Sequence, residues 1–77
     1  MDPSNDVIAA TFRRYGVTGP IGEVIPRAAD EAVFVVTPEG AASMLEDELT
    51  QALQNLLGRK VWVATDGTIY KGKVQPV

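Results

Sequence analysis

From residue 37 onward the apolar positions fall in a helical rhythm that ends abruptly in a strand. Leu45, Leu49, Ala52, Leu53 and Leu56 recur at three- and four-residue steps, while Glu46, Asp47, Gln51, Gln54 and Asn55 take the opposite side. Thr37 can cap the free donors of a first turn, Pro38 suits the first helical position, and Gly58 supplies the left-handed residue that ends a helix. A long helix from Thr37 to Leu57 is therefore expected, with acidic residues toward its start and Arg59 and Lys60 past its end, as the helix dipole favours.

Two apolar stretches flank this helix. Ala32-Val33-Phe34-Val35-Val36 has the continuous β-branched character of a strand covered on both faces, and Val61-Trp62-Val63 follows the glycine. Two strands joined by one helix predict a right-handed βαβ crossover with parallel strands. In that arrangement Leu45, Leu49, Leu53 and Leu56 pack on Val33, Val35, Val61 and Val63. Asp66-Gly67 is a type I′ hairpin signal leading into a last strand, Thr68 to Val74.

The earlier part of the chain is plainer. Ser4 or Asn5 can cap a first helix with Val7, Ile8, Thr11, Phe12 and Tyr15 on one side, Arg13 and Arg14 in its last turn and Gly16 as its stop. Gly19, Pro20, Gly22 and Pro26 punctuate the stretch that follows, where Glu23-Val24-Ile25 reads as a short edge strand in a loop-rich connection. The sum is a single α+β domain over residues 1–77, a two-layer α/β sandwich. Two helices lie on a small mixed sheet that contains a βαβ unit and a C-terminal hairpin.

Composition narrows the chemistry. With no cysteine and no histidine, the chain has no disulfide, thiolate nucleophile, imidazole acid/base or usual zinc ligand set. The formal net charge of -3 is not that of a general nucleic-acid binder, so any such role has to be local. The absence of a long apolar run and of a charged-then-apolar leader predicts a cytoplasmic protein with no membrane span. Gly19-Pro20-Ile21-Gly22 lacks the Lys-Ser/Thr pair of a phosphate loop and reads as a turn. Asp30-Glu31 lies before a strand, where metal-dependent phosphoryl chemistry often sits, but Ala32 occupies the place of the second carboxylate. No metal site, cofactor or catalytic residue is expected.

A two-residue Asp66-Gly67 turn pairs Val63 with Tyr70, Trp62 with Lys71, and Lys60 with Lys73. Alternation then places Lys60, Trp62, Ala64, Ile69, Lys71 and Lys73 on one side, and Val61, Val63, Tyr70, Gly72 and Val74 on the other. The candidate binding residues are thus Lys60, Trp62, Ile69, Lys71 and Lys73. A tryptophan among three lysines suits base stacking with phosphate contacts. The plainer reading, which is preferred to it, is that lysine stems cover an edge aromatic, and a protein interface anchored by Trp62 is a third.

Met1-Asp2-Pro3, Arg13-Arg14-Tyr15-Gly16-Val17, Asp30-Glu31-Ala32-Val33-Phe34-Val35, Thr37-Pro38-Glu39-Gly40 and Leu56-Leu57-Gly58-Arg59-Lys60-Val61 stand in an order that resembles the minimal nucleotidyltransferase proteins, the antitoxin-type partners of HEPN toxins. Gly19-Pro20 is the nearest counterpart of that family's phosphate-holding Gly-Ser. Asp30 matches the first member of its Asp-x-Asp metal pair and Ala32 replaces the second. The resemblance therefore implies a shortened, inactive relative. A fainter likeness links Asp66-Gly67-Thr68-Ile69-Tyr70-Lys71-Gly72 to the second strand of Sm-like RNA-binding proteins. The expected function is a non-catalytic interaction module, antitoxin-like or regulatory, that binds a protein partner or forms a homodimer. The alternatives are a nucleic-acid binder using the Lys/Trp face and a residual nucleotidyltransferase using Asp30.

Overall fold

The computed structural model describes residues 4–26, 29–65 and 73–77. Along the chain come α1 (Asn5–Arg14), β1 (Ile21–Val24), β2 (Glu31–Val36), α2 (Glu46–Leu57), β3 (Lys60–Ala64) and β4 (Val74–Pro76). The strands form one mixed sheet in the order β3-β2-β1-β4. β2 and β3 are parallel, with Ala32 beside Val61 and Phe34 beside Val63, so the expected βαβ unit is present. β1 is antiparallel to both β2 and β4. Among the described residues the result is a small α+β fold of two helices and four strands.

Both helices contribute to one core. Ile8 and Phe12 of α1, Leu49, Leu53 and Leu57 of α2, and Ile21, Ala32, Phe34, Val36 and Val61 of the sheet are buried together. Phe12 and Phe34 meet edge to face with centroids 5.3 Å apart, the geometry that aromatic quadrupoles favour. Glu23 brings a carboxylate to this face of β1, in register with Phe34 and Gln75.

Several expectations are corrected here. α2 begins at Glu46, not near Thr37. Thr37 does cap, since its Oγ1 accepts from the Gly40 N–H at 2.9 Å, but it caps a separate turn. That turn is tied to the end of α1, where Thr18 N–H donates to the Gly40 carbonyl and Leu45 N–H to the Tyr15 carbonyl. A side chain at Gly40 would strike the Thr18 carbonyl, and one at Gly16, where φ is +92°, would strike that of Ser43. Two glycines therefore allow the close approach that delays the helix. Leu45 is 54% exposed as a consequence, and Leu57 takes a buried place that the pattern did not assign to it.

The phase of β2 also differs from expectation: Ala32, Phe34 and Val36 face the helices, while Val33 and Val35 lie on the other face and are half-buried. β1 runs from Ile21 and is an interior strand, not an edge. Gly22 fits there because Val74 of the neighbouring strand packs where a side chain would project. In α1, Ser4 Oγ accepts from Val7 N–H as the cap, and Val7 itself is exposed. The Asp66-Gly67 turn and residues 68–72 lie outside the described residues, and β4, which follows them, pairs with β1 at the opposite side of the sheet from β3. Among the described residues no helix is long and apolar enough to cross a membrane.

Leu49 and Leu53 are fully buried and Leu45 is not. Leu49→Ala or Leu53→Ala should each lower the unfolding free energy by about 2–5 kcal/mol, while Leu45→Ala should stay within about 0.5 kcal/mol. Urea unfolding followed by circular dichroism measures all three. Equal losses at 45 and 49 would contradict the observed start of α2.

Candidate sheet-edge interaction site

β3 is the last strand on its side of the sheet, and among the described residues none pairs with its outer side. Its backbone alternates. Lys60 N–H donates to the Asp30 carbonyl at 3.1 Å, so Lys60, Trp62 and Ala64 direct their polar groups toward β2, and Val61 and Val63 direct theirs outward. The outward Val61 N–H donates to Gln54 Oε1 of α2 at 3.3 Å. Beside this edge a groove of about 360 Å³ is lined by Glu46, Asp47, Thr50, Gln54, Lys60 and Trp62, among others.

Trp62 stands next to the edge on the sheet face away from the helices, beside Val33 in register, with half of its surface exposed. Two neighbours hold it. Its Nε1–H donates to Glu31 Oε2 at 3.3 Å, and Lys60 Nζ lies 5.0 Å from the ring centroid. At an exposed site such a cation–π contact contributes about 0.5–1 kcal/mol. The tryptophan is thus fixed in place without being covered. Glu31 was invisible as a partner from sequence alone, because its approach to Trp62 depends on the parallel register of β2 and β3.

The five candidate residues do not form one described cluster. Lys60 and Trp62 sit together on β3. Ile69 and Lys71, with their proposed pairings to this strand, lie outside the described residues. Lys73 is a correction: its carbonyl accepts from Ile25 N–H at 2.7 Å just before β4, so it sits beyond β1 and not opposite Lys60. Val74 likewise leaves the side of Val61 and Val63, because its register with Val24 puts it on the open face. The charge around Trp62 is mixed, since Asp30 and Glu31 are exposed beside Lys60.

Asp30 precedes β2 at the surface, whereas Ala32 is 3% exposed beneath the helices. Their alternation places position 32 inside the core. Across the sheet, a second groove of about 370 Å³ on the open face is apolar, lined by Pro20, Gly22, Val35, Pro38, Val74 and Pro76 among others. Of the turn expected over Gly19-Pro20-Ile21-Gly22, only a bend at Gly19, with φ +75°, is present; Ile21 and Gly22 already belong to β1, and no helix follows. The chain matches no family model, no characterised protein and no solved structure.

Glu31→Ala should leave the fold intact, at a cost below about 1 kcal/mol, because the bond it removes is exposed. Trp62 is the chain's single tryptophan, so acrylamide quenching of its fluorescence reports the loss directly. Quenching should rise in the variant. An unchanged quenching constant would mean that Glu31 does not hold the ring.

Proposed function

We propose that the protein is a small, non-catalytic cytoplasmic interaction module, antitoxin-like or regulatory, that binds a protein partner through the β3 side of its sheet. The observation that carries this reading is Trp62, half exposed yet oriented by Glu31 and Lys60 beside a sheet edge. A rigid aromatic with a large exposed surface loses little conformational freedom on binding, which is why such residues anchor protein interfaces.

The nucleic-acid alternative receives less support. A stacking platform needs cations around the aromatic, but Glu31 bonds the indole, while Lys73 is three strands away in the sheet order. The formal net charge of -3 works in the same direction. A residual nucleotidyltransferase would need a second carboxylate two residues after Asp30, and that position is Ala32, turned into the core. The resemblance of its sequence to the minimal nucleotidyltransferase proteins would suit a shortened relative that binds a partner without the metal pair.

Tagged wild-type protein and Trp62→Ala, purified side by side from the native cell and read for both protein and nucleic acid, test the proposal. One protein should co-purify in stoichiometric amount with the wild type and fall at least tenfold with Trp62→Ala, a change of about 1.4 kcal/mol. A partner retained equally by both, or nucleic acid in its place, would defeat this reading.

A further inference from the structure

We infer that the α2–β3 groove accepts an extended, basic segment of a partner protein, which adds to the sheet as a further strand beside β3. The inference rests on the interaction role proposed above and names the chemistry of the partner. β3 offers the Val61 carbonyl and both polar groups of Val63 on its outer side, and among the described residues no strand takes them. Gln54 Oε1 already accepts the Val61 N–H, from the position that a carbonyl of an added strand would occupy. The edge is therefore partly satisfied by a side chain that can swing aside, a different case from one blocked by proline or a bulge. β4, the other edge, is three residues long and ends in Pro76, which has no N–H to offer.

Charge selects the occupant. At the start of β3, Arg59 and Lys60 are balanced by Asp30 and Glu31. Toward its end, Glu46 and Asp47 from the first turn of α2 line the groove, and the one cation among the lining residues, Lys60, has its Nζ over Trp62. A second copy of this chain fits less well: two-fold pairing of β3 with β3 is antiparallel and sets each Glu46–Asp47 turn against the Lys60 end of the other copy, where Asp30 and Glu31 offset Arg59 and Lys60 and leave no net positive charge to meet it. A strand with lysine or arginine at alternate positions would set cations against these carboxylates while its backbone pairs with Val61 and Val63.

The test uses the full chain and two blocked peptides, one alternating lysine with valine and one alternating glutamate with valine. Amide exchange of Val63 and the fluorescence of Trp62 are the readouts. In the free protein the Val63 N–H should exchange quickly. The lysine peptide should slow it and change the Trp62 emission, and its affinity should fall about tenfold in the Glu46→Gln/Asp47→Asn double variant and on raising the salt from low to about 0.5 M. Both substitutions are at exposed positions, so the fold is retained. A Val63 amide already protected in the free chain, equal binding of the glutamate peptide, or an unweakened double variant would each overturn the inference. If the cellular partner is lost with Trp62→Ala but kept by the double variant, the interaction role stands and the basic strand alone falls.

Discussion

Closure of α2 over the parallel β2–β3 pair is the constraint on which the rest of the molecule depends. A 77-residue chain has a small core, and here Leu49 and Leu53 are fully buried in one cluster with Phe12 and Phe34. Parallel strands need a crossover, and a helix packed on one face is the short way to provide it. Once α2 is docked, α1 has a place beside it, β1 completes the other side of β2, and β3 is left at the rim. The position of the candidate site thus follows from the core: Trp62 is on the strand that the crossover delivers last, turned to the face away from α1 and α2.

The same arrangement makes the two sheet edges unequal. β4 is brief and closed by a proline, whereas β3 carries outward backbone groups, a partial cap from Gln54 and a fixed aromatic neighbour. Edge strands are ordinarily defended against pairing. Lys60 supplies some defence, but its ammonium is drawn to the indole, and the acidic first turn of α2 would repel an acidic strand and favour a basic one. Selectivity of this sort comes from charge placed beside a shared backbone geometry.

Much of this fold can be read from the sequence, and the failures have identifiable causes. The Leu49–Leu53 stripe, the Gly58 stop and the βαβ order follow from local patterns that packing reinforces. The start of α2 is not legible because Thr37-Pro38 is a true capping pair that closes a turn instead of a helix; the contact of Gly40 with Thr18, distant in sequence, decides between them. In Ala32 to Val36 an unbroken apolar run carries no period-two phase, so which residues face the helices is set by register with β1 and β3. A tight turn at Asp66-Gly67, extrapolated along the chain, places Lys73 near Lys60, whereas the strand it precedes pairs with β1. Of the candidate site, Lys60 and Trp62 were evident as residues, but Glu31, Gln54 and the Glu46–Asp47 wall needed the three-dimensional arrangement.

The most direct measurement of the central claim is cross-linking in the native cell from a photoreactive residue placed at one of two positions. Thr50 lines the α2–β3 groove, and Ala42 is exposed in the turn before α2, outside that lining. A partner engaged at the β3 edge should be captured from position 50 and not from position 42. Capture from 42 alone, or equally from both, would contradict an interface centred on Trp62.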